Sequence, residues 1–369
     1  MNIKIRLFFR LLLSSILFWI GAMLLFVIVR YNGLEQEMGM FVSESLDLPL
    51  DLYFSSVIVL GAIFGVMYTF VERLFYSYLS KRLVPVTTII FKSIIYFILI
   101  IVLLSLLTFY LEDQFDLDIS GDIVWWYEEG LFWWKEDGLF WGIIIYFVSM
   151  STVLSLLRIA YDKFGLGMFL NILIGKYRKP QEEERILMFL DLKDSTQIAE
   201  QLGHKNYSKF IQDCFKDLNS ILDKFEAEVY QYVGDEAVLS WSPKRGFRKN
   251  NCVNLFFEFK KCLENKSAYY SKNYDYKPIF KAGLHCGELM IAEVGSVKKE
   301  IAYHGDVINT AARIQSLCKM YDALLLVSEP LLNKSTITLN YDAKLLGEEV
   351  LRGRKEPLNI FSISKKSDF

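Results

Sequence analysis

The chain reads as two parts of different kind: an α-helical membrane domain of four transmembrane helices, then an α+β domain with helices packed on one face of an antiparallel sheet. Three observations predict this. Of 369 residues 53% are hydrophobic, and the excess is concentrated before about residue 165. That half holds four uncharged runs of membrane-spanning length, whereas the remainder alternates short strand-like runs with helical patterns and turn signals. The boundaries that follow are 1–158 for the membrane domain, 159–182 for a connector and 183–369 for the soluble domain.

The four runs are Leu11 to Val29, Leu52 to Val71, Ser93 to Leu111 and Leu139 to Leu157. At about 1.5 Å per residue each crosses roughly 30 Å of hydrocarbon. Lys4, Arg6 and Arg10 precede the first run; Arg73, Lys81 and Arg82 lie between the second and third; Arg158 and Lys163 follow the fourth. The other two links are acidic, with only Lys135 against nine carboxylates in the second. The positive-inside rule then puts both termini in the cytosol of a multi-pass protein of the inner or plasma membrane, with a lipid bilayer as partner. Trp125, Trp126, Trp133 and Trp134 in the second outer link read as indoles at headgroup level, and Lys92 as a snorkelling side chain. No ionisable pair is expected inside the spans, which disfavours a transporter or channel.

A net charge of −2 supplies no basic field for phosphate neutralisation, so nucleic acid is excluded as a partner. All five cysteines (Cys214, Cys252, Cys262, Cys286, Cys318) lie in the second half without a C-x-x-C pair. They read as reduced thiols of a cytosolic domain.

The connector carries Gly165, Gly167 and Gly175 and ends in a basic cluster at Pro180, as a juxtamembrane amphipathic segment does. Arg185 to Leu190 then reads as a buried strand, and Asp194 opens a helix through about Glu226 as its N-cap, which leaves that aspartate no catalytic role. A Gly234-Asp235 turn joins two strands, 228–233 and 236–241, into a hairpin. A charged helix follows at 247–271. Two strands are expected around Gly287-Glu288 (279–286 and 289–294), then a helix over 306–320, and a last strand and hairpin within 324–327 and 345–363.

Asp191 ends a strand that should be buried, where an ionised carboxylate is costly unless paired or liganded. Asp235 sits at the hairpin tip. Taken alone it reads equally well as an ordinary turn residue. If the two strands are neighbours, both carboxylates converge at one edge of the sheet, in the oxygen-rich arrangement that magnesium or manganese adopts when it also binds phosphates.

Four stretches carry a more specific signal: Phe189 to Thr196 (FLDLKDST), Tyr232 to Ala237 (YVGDEA), Ala282 to Glu288 (AGLHCGE) and Gly305 to Arg313 (GDVINTAAR). In this order and spacing they resemble the motif series of class III adenylate/guanylate cyclase domains, over about 183–365. The resemblance implies a ferredoxin-like α+β core and a homodimer with shared sites. It implies that Asp191 and Asp235, with the backbone carbonyl of Leu192, hold two Mg2+ or Mn2+ ions per site. Asn309 and Arg313 correspond to the residues that orient the ribose and stabilise charge on the α-phosphate. Their i, i+4 spacing puts both on one helix face. Arg352 and Arg354 resemble the late basic segment that contacts the terminal phosphates.

The purine-reading positions depart from the pattern. Gln231 and Ala302 stand where adenylate cyclases typically have lysine and aspartate or threonine, and where guanylate cyclases have glutamate and cysteine. A glutamine amide meets either purine edge and alanine offers no hydrogen bond, so ATP is favoured on family frequency and GTP is not excluded. The expected activity is that of a lyase making cyclic AMP and pyrophosphate from ATP. Two rival readings differ: a diguanylate cyclase, because 233–237 imitates that family's signature, and a non-catalytic receptor that keeps the domain only for dimerisation.

Overall fold

The computed structural model describes residues 3–34, 50–75, 85–115, 138–164, 166–350 and 356–366. The chain divides into two compact units, Met1–Lys163 and Phe164–Phe369. Arg352, Arg354 and the tryptophans of the second outer link lie outside the described residues.

In the first unit, helices α1 (Ile3–Leu34), α2 (Leu50–Leu74), α3 (Pro85–Phe115) and α4 (Gly138–Phe164) each contain one of the four apolar runs. Among the described residues one stretch, Val57–Leu74, is long and apolar enough by itself to cross a membrane; Leu11–Phe26, Thr87–Val102 and Ile144–Ala160 are shorter apolar stretches. An aromatic core joins α1, α2 and α4: the Trp19 and Phe147 rings stack at 5.4 Å, and Phe64 meets Phe147 at 4.4 Å. Gly61 and Gly65 of α2 lie against the α1 backbone, so a Cβ at Gly65 would fall 2.4 Å from the Cα of Ile16. This is close small-x-x-x-small packing, and the Gly61-x-x-x-Gly65 spacing is its sequence signal.

Lys92, just before the third apolar run, corrects the snorkelling expectation. Its ammonium donates to Glu72 at 2.7 Å, and Glu72 is buried. Glu72 lies near the end of α2 and Lys92 near the start of α3, and the packing of these helices brings two largely desolvated charges together, with Arg158 of α4 at 3.9 Å from the same carboxylate. An ion pair removes the need for the lysine to reach water.

The second unit begins with α5 (Leu166–Leu173) and a turn at Gly175, whose φ is +67°. Strand β1 (Gln181–Leu192) follows, then α6 (Ser195–Leu222), the hairpin β2 (Glu228–Val233) and β3 (Glu236–Trp241), α7 (Asn251–Asn265) and α8 (Ser267–Tyr274). Next come β4 (Phe280–Val294), β5 (Glu300–His304), α9 (Asp306–Met320), β6 (Leu325–Ser328), β7 (Tyr341–Glu349) and β8 (Leu358–Lys365). The described strands form one eight-stranded sheet in the order β2-β3-β1-β4-β6-β8-β7, with β5 paired to β4.

Three expectations are corrected. The sheet is mixed, because β4 and β6 run parallel after the α9 crossover. Gly287-Glu288 is no turn: β4 is continuous and pairs with β1 from Leu192↔Phe280 to Gln181↔Ile291. Gly287 serves close packing instead, since a Cβ there would lie 2.7 Å from a Val307 methyl of α9. Asp194 does occupy the cap position of α6, but in the left-handed conformation (φ +58°) and without a side-chain capping bond.

One face of the sheet carries the main core with α6 and α7, including Phe210, Leu218, Phe256 and Phe259. The other face carries α9 and the connector residue Tyr177, packed with Leu187, Phe189, Val238 and Tyr303, which also corrects the expectation of helices on one face only: the α9 crossover between the parallel β4 and β6 covers the second face. Gly283 lets α9 lie directly on β4, because a Cβ there would be 2.3 Å from the Gln315 amide nitrogen.

Candidate active site

The hairpin forms as its turn residues require: Gly234 takes φ +62°, which glycine adopts at little cost. Strand β3 pairs antiparallel with β1 in a register that sets Asp191 opposite Glu236. Asp235, one residue earlier at the hairpin tip, therefore sits beside Asp191. The two carboxylates that the sequence singled out do converge at one edge of the sheet.

Their electrostatics follow from that proximity. Burial holds the Asp191 carboxyl above its ordinary range; the Lys281 ammonium works against this and the neighbouring Asp235 reinforces it. Glu236 is pushed up to about 7, by burial first and then by Asp191 and Asp235. Three carboxyl groups repel one another across a partly dry corner, a concentration of negative charge that a cation relieves.

Two side chains already touch Asp191. Lys281 of β4, its register partner, lies 3.3 Å from Oδ2. Gln315 of α9 donates to the same oxygen at 3.0 Å. Asp235 differs: its Oδ2 is buried without a hydrogen-bond partner. Such an oxygen costs about 1–3 kcal/mol unless something satisfies it.

These donors fit a divalent cation. The orphaned Asp235 oxygen, the Asp191 carboxylate and the backbone of Leu192 at the end of β1 are hard oxygen groups, the set that magnesium and manganese select. Among the described residues no group of three or more His, Cys, Asp or Glu side chains is arranged to hold a metal. Two aspartates leave coordination positions for phosphate oxygens and water, as ions that act on a triphosphate require.

Helix α9 carries Asn309, which is exposed, and Arg313, which is half-buried. The helix seats itself on the sheet through Ala311, Ile314 and Gln315, and its first turn is tied by Thr310 to Asp306 at 3.1 Å. Around a helix of 3.6 residues per turn, Gln315 lies about 200° from Arg313 and about 240° from Asn309, whereas Asn309 and Arg313 are only about 40° apart. Gln315 reaches Asp191, so Asn309 and Arg313 point away from the carboxylates of their own chain.

Gln231 is exposed on β2 and Ala302 half-buried on β5. Each adjoins in the chain one member of a stacked tyrosine pair, Tyr230 and Tyr303, with ring centroids 4.1 Å apart. Lys281, Gln315 and Glu236 were not foreseen as parts of the site. Lys281 immediately precedes the 282–288 motif and Gln315 follows Arg313 by two, but only the β1–β4 register and the seating of α9 bring them to Asp191.

A fold and a site of this construction define a class, and the sequence comparison agrees with it: residues 178–365 match the family described as adenylate and guanylate cyclase catalytic domain, and the chain belongs to that family. It is 31% identical over 226 residues to "Adenylate cyclase 2" of Rhizobium meliloti (strain 1021), covering 61% of this chain and 62% of that one. It is 19% identical over 180 residues to "Adenylate cyclase" of Anabaena cylindrica, covering 48% and 36%. The chain thus spans less than two thirds of the length of the curated relatives it matches. The structure of a bacterial light-regulated adenylyl cyclase shares the fold, with a TM-score of 0.52 and 17% identity over 62% of this chain and 65% of that one.

Proposed function

We propose that the chain is a membrane-anchored adenylate cyclase that converts ATP to cyclic AMP and pyrophosphate at two sites shared across a homodimer. The observation that carries this reading is the division of labour on α9. Gln315 engages Asp191 of its own chain, and the opposite face presents Asn309 and Arg313, whose side chains make no ion pair or hydrogen bond among the described residues.

In this reading Asp191, Asp235 and the Leu192 carbonyl of one subunit hold two divalent cations, Mg2+ or Mn2+, which supply Lewis acidity at the ribose 3′-oxygen and the triphosphate. Asn309 of the second subunit orients the ribose, and its Arg313 neutralises charge that builds on the α-phosphate during in-line attack. Gln231 and Ala302 face the purine, and Arg352 and Arg354 the terminal phosphates. Lys281 and Gln315 hold Asp191 in one rotamer, so that its carboxylate is set before substrate arrives.

The four helices act as spans with both termini in the cytosol. Supporting this, large apolar side chains lie exposed on α1 to α4, among them Leu17, Val59, Phe70, Ile94 and Ile145. An aqueous surface would not tolerate so broad an apolar band. Purified full chain supplied with Mn2+ and ATP, then with GTP, tests the activity and the base preference together. Cyclic AMP formation is expected; formation of cyclic GMP alone would replace the assignment with a guanylate cyclase. A chain that binds neither triphosphate would return it to a dimerising receptor.

A further inference from the structure

Arg185 is a buried cation that the proposed chemistry does not use. Its side chain is 6% exposed, on the sheet face otherwise packed with Leu187, Phe189 and Val238. It donates through Nε to Glu183 at 2.9 Å and through one terminal nitrogen to Glu228 at 2.9 Å and Ser240 at 3.5 Å. Its other terminal nitrogen reaches the Tyr177 hydroxyl at 3.5 Å.

Tyr177 belongs to the connector and is 1% exposed. Its hydroxyl donates to Glu183 at 3.1 Å and accepts from Asn171 of α5 at 3.3 Å, while its carbonyl accepts the Glu293 amide of β4 at 2.8 Å. On the far side of Arg185, Ser240 meets the Tyr303 hydroxyl at 3.3 Å, and the Tyr303 amide donates to the Tyr230 hydroxyl at 3.2 Å beneath the stacked rings. A continuous run of polar contacts therefore leads from the connector to the tyrosine pair whose members adjoin Gln231 and Ala302 in the chain.

No direct backbone ladder joins the strands of those two residues. Strand β2 pairs with β3 and β5 with β4, so the two are not neighbours in the sheet, and β2 is bulged between Val229 and Gln231. Three intervening strands separate them, and across that span the tyrosine stack and the guanidinium that braces it make the direct link between β2 and β5. A buried ion network is seldom more stabilising than apolar packing of the same volume, and its best attested use is to specify one arrangement.

We propose that Arg185 is a positioning residue for the purine-reading pair: braced by Tyr177 of the connector, it sets the separation of Gln231 and Ala302 and so ties purine selection to the seating of the connector. This rests on the reading of Gln231 and Ala302 given above. The test uses the full chain with Mn2+, comparing wild type, Tyr177→Phe and Arg185→Lys, with fluorescent ATP and GTP analogues for affinity and with ATP and GTP for turnover. Tyr177→Phe removes one hydroxyl and keeps the ring, so it stays informative if the arginine variant does not fold.

The expected result is a change of roughly threefold or more in the ATP:GTP ratio of affinity and of kcat/KM, with kcat for ATP altered less than KM. A brace of purely structural effect would lower thermal stability and leave both ratios at the wild-type value, and that outcome overturns the proposal. The two readings fail differently. Wild type that binds and cyclises nucleotide while variant ratios stay unchanged sinks only the positioning role; wild type that binds neither analogue sinks both.

Discussion

Gln315 and Arg313 stand two residues apart on α9, yet one bonds Asp191 of its own chain and the other faces away from it. On the proposed function, a site needing both Asp191 and Arg313 draws them from two chains. Asp191→Asn and Arg313→Ala should each lower cyclase activity by roughly two orders of magnitude or more. Co-expressed in equal amount, they should restore about one quarter of wild-type activity, because half the dimers are mixed and each mixed dimer keeps one intact site. Absence of recovery in mixed dimers verified by differential tagging would rule out shared sites.

Asp235 has a buried oxygen without a partner. Asp235→Asn should abolish turnover without lowering the stability of the metal-free protein, because it removes a repelling charge beside Asp191. It should also abolish the rise in thermal stability that Mn2+ gives the wild type. Melting curves with EDTA and with Mn2+ read both effects; undiminished Mn2+ stabilisation in the variant would remove Asp235 from the metal site.

Glu236 makes stability depend on pH in a set direction. Its folded pKa is raised to about 7, above the ordinary value of 4.5. Between those values the folded state holds the proton more tightly than the unfolded chain. Stability therefore falls as pH rises through about 4.5 to about 7 and stays low above it. In EDTA the wild type should lose on the order of 1 kcal/mol between pH 5 and pH 7.5, after allowance for partial solvent screening. Glu236→Gln should flatten that loss. Denaturant unfolding of both proteins at the two pH values makes the comparison, and equal slopes would contradict the assignment.

Gly283→Ala should act at a distance from the nucleotide. The added methyl group would meet the Gln315 backbone at 2.3 Å, a contact that only displacement of α9 relieves. The cost should be about 1–3 kcal/mol, and the Gln315 bond to Asp191 should loosen. Stability and kcat are expected to fall together; unchanged kcat with the full stability loss would mean that the Gln315 contact is dispensable.

In the helical unit, Gly65→Leu should separate α1 from α2, because the glycine lies 2.4 Å, measured from an added Cβ, from the Cα of Ile16. Cysteine cross-linking between the two helices reports this. Efficiency should drop severalfold relative to wild type, whereas Gly142→Leu, with open space around it, should leave it unchanged.

Much of this protein was determined by residues acting locally. Hydropathy over runs of about twenty residues marked four helices, a glycine with positive φ marked the 234–235 turn, and apolar runs marked β1 and β3, because each depends on neighbours within a few positions. Asp191 was legible for the same reason: a carboxylate at the end of an apolar run needs an explanation wherever the chain goes. The tertiary structure alone decided the rest. Whether 287–288 was a turn depended on β1 being long enough to pair with an unbroken β4, and whether Lys92 reached water depended on Glu72 arriving beside it. The bond from Gln315 to Asp191 spans 124 positions in sequence. Such contacts are set by register and helix seating, energies shared among many distant residues, and no local pattern records them.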